Sequence, residues 1–145
     1  MRYEGKRAIV TGGLGFIGSN LVIELVREGA QVIVIDNLIA GCGGNPYNIA
    51  PVRSRVRIVD ADVGEVTPDV IAGSDVIFNL AGEISHIHSM QFPERDLQLN
   101  TISQLRFLLT CCEAAPGVRV VYAGTRQVYG APKYLPVDEA HAFQP

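Results

Sequence analysis

Short apolar runs alternate along this chain with longer stretches in which apolar residues recur every three or four positions. "KRAIVT" (Lys6–Thr11) is apolar and runs into glycines, which predicts a first strand. Phe16–Glu28 carries Ile17, Leu21 and Leu25 together with Glu24, Arg27 and Glu28, the pattern of an amphipathic helix that closes at Gly29. "QVIVID" (Gln31–Asp36) reads as a strand covered on both faces. "RVRIVD" (Arg55–Asp60) alternates as a third strand, and "SDVIFNLAG" (Ser74–Gly82) and Val118–Ala123 follow as the fourth and fifth. Asn37–Pro51, rich in Gly and Asn, predicts mostly loop. Thr67–Ala72 predicts a short helix with Thr67 as cap and Pro68 in its first turn. The longest helical segment is Pro93–Ala115, with Leu97, Ile102, Leu105, Leu108 and Leu109 on one stripe and Pro116 and Gly117 as its stop.

Strands alternating with helices imply right-handed crossovers and a parallel sheet. The expected architecture is α/β, the first five strands of a doubly wound domain. At 145 residues, 48% of them apolar and 19% charged, the chain has the composition of one globular domain. A net charge of −3 gives no basic footprint for nucleic acid or an anionic membrane. The apolar runs are too short to span a bilayer, and "MRYEGKRAIV" lacks the apolar stretch of a signal peptide. Three cysteines, Cys111 and Cys112 among them, form no disulfide framework and read as free thiols in a reducing cytoplasm, the two neighbours as packing residues.

"VTGGLGFIGSN" follows the first strand and opens the first helix. It contains both Gly13-x-Gly15-x-x-Gly18 and Gly12-x-x-Gly15-x-x-Gly18. Glycines there permit a tight turn, let backbone approach a pyrophosphate and let helix pack close to strand, while the helix start offers free N–H groups to phosphates. Asp36 ends the second strand eighteen residues after Gly18, close to the spacing of a carboxylate that binds a ribose 2′-hydroxyl. Such a carboxylate repels a 2′-phosphate and so selects NAD over NADP; a helix-capping or solvated Asp is the alternative.

Six pieces, "TGGLGFIG" (Thr11–Gly18), "DNL" (Asp36–Leu38), "DADV" (Asp60–Val63), "NLAG" (Asn79–Gly82), "SMQFP" (Ser89–Pro93) with Asn100 after it, and "AGTRQVYG" (Ala123–Gly130), together resemble the extended short-chain dehydrogenases/reductases. Within that family the likeness is to NAD-dependent nucleotide-sugar epimerases and dehydratases of the UDP-glucose 4-epimerase type. The resemblance implies a Rossmann-type domain over residues 1–145 whose cofactor is NAD. It assigns Gly12, Gly15, Phe16, Ile17 and Gly18 to the pyrophosphate, and Asp36 and Asn37 to the adenosine ribose. Asp62 would accept from the adenine amino group, with Val63 against the ring. Leu80, Ala81 and Gly82 would lie beside ribose and phosphates, and Asn100 would reach the cofactor from the long helix. Thr125 would steady the reacting sugar oxygen; the alternative is a turn threonine bonding its own backbone.

That chemistry needs a Tyr-x-x-x-Lys pair on one helix face, where the lysine lowers the tyrosine pKa. Tyr129-Gly-Ala-Pro-Lys133 has the spacing, but Gly130 and Pro132 oppose a helix there. The pair is expected on a following helix, so the chain reads as the cofactor half of such an enzyme, with the substrate part and the catalytic helix absent. A nucleotide sugar is the expected substrate of the complete enzyme, and self-association or a homodimer through the long helix is expected. The rivals are a non-catalytic dinucleotide-binding module, an inactive fragment, and a structural α/β protein. His86 and His88 in "SHIHS" are two histidines without a third nearby metal ligand, so no metal site is expected, and contact with a sugar phosphate is their other reading. "AGEISH" resembles the "AAESH" loop of dTDP-glucose dehydratases with Ile84 inserted; that isoleucine stands where several 4-epimerases carry a lysine, and Glu83 is a further loop candidate. Arg126 reads as a solvated turn residue.

Overall fold

The computed structural model describes residues 2–145 and holds a five-stranded parallel sheet in the order β3-β2-β1-β4-β5. The strands are β1 (Arg7–Thr11), β2 (Gln31–Ile35), β3 (Val56–Val59), β4 (Val76–Asn79) and β5 (Arg119–Tyr122). The order reverses between β1 and β4, so a crevice opens at their C-terminal ends. Each predicted strand is present and shorter by one to several residues at its ends, where the chain leaves the ladder for a turn.

Side chains alternate across the sheet and fill two core layers. Ala8, Val10, Val32 and Val34 face Val22, Leu25 and Val26 of α1 (Phe16–Arg27). Ile9, Ile33, Ile35 and Ile77 face the other way, against Val70 and Ile71 of α2 (Pro68–Ile71) and Phe107 and Cys111 of α5 (Ser103–Ala114). Because both faces are covered, the central strands read as unbroken apolar runs. Burial, with the neighbouring Cys112, pushes the Cys111 thiol up to about 11, so it stays protonated as a packing group. Cys112 is exposed and does not pack, contrary to the sequence reading.

Three segments carry structure that the sequence pattern did not mark. Asn37–Pro51 is not all loop: Pro46–Arg55 forms short helical turns, kinked at Ile49, that bury Ile49 and Val52 against the first layer. Asn45 caps this segment by accepting from Tyr47 N, and Arg55 Nη2 donates to Val26 O at 3.2 Å at the end of α1. The stretch that carries "SHIHS" is helical, α3 (His86–Gln91), with Ser85 Oγ accepting from His88 N at its start.

The long segment Pro93–Ala115 is not one regular helix. It runs as α4 (Pro93–Leu97), a wide π turn over Gln98–Ile102, and α5. Its leucine stripe faces away from the core: Leu97, Leu105 and Leu109 are more than half exposed. The face toward the sheet is Ser103, Gln104, Phe107 and Cys111. The reason is close approach: a Cβ on Gly64 would stand 2.8 Å from Ser103 Cα, so only small residues fit where α5 crosses that turn. Among the described residues, no helix is long and apolar enough to cross a membrane.

Candidate functional site

Everything at the crevice follows from how β1 turns into α1. Gly12 has φ +64°, and a Cβ there would meet the Ala81 backbone at 3.0 Å, so the first turn lies directly on the turn after β4. A Cβ on Gly18 would run into the Gly12 carbonyl oxygen and stand 2.8 Å from Gly13 Cα. These glycines are therefore required by contact between backbones. Gly15 is the cap residue of α1; no side chain caps that helix and no acidic residue lies in its first turn. Its first amides therefore have no capping side chain, and the partial positive charge of the helix start is left without a neighbouring acid on its own first turn. Phe16 and Ile17, 84% and 67% exposed, add two large apolar side chains to the same helix start.

Asp36 follows β2 on the other side of the turn. Its Oδ2 accepts from Leu14 N at 2.9 Å and its Oδ1 from Leu38 N at 3.0 Å. The carboxylate thus braces the glycine turn, and each oxygen keeps a second lone pair for a ligand. Leu14 O in turn accepts from Asn45 N and Asn48 Nδ2, which ties the following loop to the same turn. Asn37 and Asp62 come together, with Asn37 Nδ2 3.4 Å from Asp62 Oδ2, while Asp62 Oδ1 accepts from Gly64 N at 2.8 Å. Val63 is buried in the second core layer.

The turn after β4 rests on a buried polar circuit that the sequence reading missed. Thr11 Oγ1 accepts from both Leu80 N and Ala81 N at 3.0 Å and donates to Asn79 Oδ1 at 2.7 Å. Asn79 Nδ2 donates to Gln104 Oε1 at 2.8 Å, and Gln104 Nε2 donates to Ala81 O at 3.0 Å. Gln104 shares a helical stripe with Ser103, Phe107 and Cys111, and its polar side chain does not mark it as buried.

Farther along, the residues divide. A Cβ on Gly82 would stand 3.1 Å from Asn100 Oδ1. The Asn100 amide holds the Glu83 backbone, accepting from its N–H and donating to its carbonyl at 2.9 Å each, and also donates to Asp96 Oδ1. His88 faces Glu83, its Nδ1 3.9 Å from Oε2. Thr125 follows β5 and its hydroxyl accepts from Gln127 N at 3.2 Å, capping the turn Arg126–Tyr129 as the alternative reading had it; it is exposed. Arg126 is exposed. Gly130 has φ +61°, which ends that turn, and the Tyr129 ring packs edge-on against His141 and Phe143 at 5.7 and 5.4 Å. Tyr129 and Lys133 share no helix. Among the described residues, no three His, Cys, Asp or Glu side chains gather as a metal site.

A parallel sheet reversing at a glycine turn with an acid at the end of β2 defines a dinucleotide-binding α/β class. The chain belongs to the NAD dependent epimerase/dehydratase family, whose model matches residues 8–145. It is 33% identical over 136 residues to UDP-glucuronic acid decarboxylase 1 of Danio rerio, covering 94% of this chain and 31% of that protein. Its fold matches the dTDP-glucose 4,6-dehydratase DesIV of Streptomyces venezuelae, solved with NAD bound, with TM-score 0.82 and 31% identity over 96% of this chain and 45% of that one. It also matches a UDP-N-acetylglucosamine 4-epimerase from Methanobrevibacter ruminantium, solved with UDP-N-acetylmuramic acid, with TM-score 0.81 and 29% identity over 98% of this chain and 45% of that one. The chain thus spans less than half the length of these relatives.

Proposed function

We propose that residues 2–145 form the NAD-binding part of a nucleotide-sugar epimerase or dehydratase. The observation that carries this reading is the uncapped start of α1 above a glycine turn too tight for a Cβ at position 18, with the Asp36 carboxylate alongside. The helix-start amides suit a diphosphate, Phe16 and Ile17 flank it, and Asp36 with Asn37 suits the adenosine ribose. Asp62 offers an acceptor to the adenine amino group, and Leu80, Ala81 and Gly82 form the opposite wall. NAD, when bound, supplies transient hydride transfer at a sugar carbon. The chain's residues bind and orient it, and Thr125 offers a hydroxyl to a sugar oxygen at the end of β5. The substrate class is nucleotide sugars and the compartment the cytoplasm.

Calorimetric titration tests the cofactor. NAD binds saturably, and NADP binds at least about ten-fold more weakly, because Asp36 repels a 2′-phosphate. Asp36→Ala weakens NAD and removes the preference. Equal affinity of the parent chain for both dinucleotides, or no heat from either, overturns the reading.

The exposed leucines of α5 support pairing of two copies. Sedimentation is expected to show a dimer that Leu105→Glu with Leu109→Glu converts to a monomer. A monomeric parent at high concentration counts against pairing.

A further inference from the structure

Two loops flank the crevice. The one after β2 begins at Asp36 and contains Cys42; the one after β4 runs through Leu80 and Ala81 to Glu83. They spring from strands separated in the sheet by β1. One hydrogen bond among the described residues joins them: Cys42 Sγ donates to Glu83 Oε2 at 3.3 Å.

Glu83 is firmly held on its own side. Its side chain is 5% exposed. Its Oε1 accepts from Ser85 N at 3.0 Å, and its backbone N–H and carbonyl are both held by Asn100 from the π turn. Burial opposes the charged form, but the Ser85 and Cys42 hydrogen bonds and the charges of His88 and Arg95 outweigh it and hold the Glu83 pKa below its ordinary value. Burial, then Glu83 itself, raises the Cys42 thiol, so the proton stays on sulfur. Donor and acceptor therefore match: a neutral thiol meets an ionised carboxylate.

We propose that Cys42 and Glu83 are positioning residues, a clasp that fixes the distance between the two crevice loops and thereby sets the affinity for a ligand long enough to touch both. This rests on the dinucleotide reading above. Asn100 gains a role from it: the wide turn at Gln98–Ile102 aims its amide at Glu83, which anchors the fixed jaw.

The test compares Cys42→Ala, which deletes the donor, Cys42→Ser, which keeps one, and Cys42→Asp, which sets a second carboxylate against Glu83. Each full chain is titrated with NAD and with ADP, and its melting temperature and the hydrogen exchange of residues 37–45 are measured. Cys42→Ala is expected to weaken NAD about five-fold and Cys42→Asp by more, as loss of one hydrogen bond to a charged group implies. Cys42→Ser stays within about two-fold of the parent. ADP, which the Asp36 side can hold alone, changes little in any variant. Exchange in 37–45 speeds up in the alanine and aspartate variants and not in the serine variant. Parent binding of NAD with all three variants equal to it overturns the clasp and leaves the dinucleotide reading intact. A parent that binds no NAD overturns both. A serine variant as weak as alanine also overturns the clasp, since the donor is then irrelevant.

Discussion

Gly18→Ala abolishes measurable NAD binding and lowers the melting temperature. The added methyl would be forced onto the Gly12 carbonyl oxygen and within 3 Å of Gly13 Cα and the Gly12 carbonyl carbon. Those are backbone atoms, so no rotamer change relieves the clash, and the turn from β1 into α1 must open. Opening it pulls Gly12 off Ala81 and shifts the Leu14 amide that Asp36 holds. Overpacking of this kind costs about 2–3 kcal/mol, or roughly 5–10 °C for a domain of this size. The helix-start amides are then displaced from the turn, and binding is lost beyond what the stability change explains. Gly124→Ala, where a methyl meets nothing within 4 Å, is the stability control and melts as the parent does. Thermal melts with NAD titrations at a temperature where both variants are folded check this. A Gly18→Ala chain that melts and binds like the parent would mean that the turn is looser than its contacts imply.

The order of strands and helices was legible because both layers of the sheet are covered and β1 and β2 carry near-continuous apolar runs. The glycine turn and Asp36 were legible because their spacing reflects backbone geometry. The long helix was legible as a helical segment, but which of its faces meets the sheet was not, for a physical reason. Leu97, Leu105, Leu108 and Leu109 have helical spacing, and so do Ser103, Gln104, Phe107 and Cys111, one stripe beside the other. Periodicity selects the more apolar stripe. The sheet selects the other, because Gly64 demands small neighbours and the turn after β4 demands an amide at position 104. The π turn was equally hidden, since the extra residue that aims Asn100 at Glu83 leaves no mark on composition. Tyr129 and Lys133 show the opposite outcome: Gly130 and Pro132 spelled out a broken backbone, and the chain between Tyr129 and Lys133 is not helical.

Asn79→Leu is the second large loss, and it comes from chemistry rather than space, since leucine nearly matches asparagine in shape. Asn79 is 1% exposed. Its removal leaves the Thr11 hydroxyl without its acceptor and Gln104 Oε1 without its donor, both in the interior. Each orphaned group costs about 1–3 kcal/mol, so a loss of about 3 kcal/mol, near 10 °C, is expected from denaturant and thermal unfolding. NAD affinity falls as well, because the Thr11 oxygen that orients the Leu80 and Ala81 amides is no longer held from its other side. The decisive measurement is the double variant Asn79→Leu with Gln104→Leu. Removing both partners of the Asn79–Gln104 bond orphans fewer groups than the two single changes do separately. Its destabilisation should therefore fall short of their sum by more than about 0.5 kcal/mol. Strict additivity would show that these amides are packed side by side without being energetically joined.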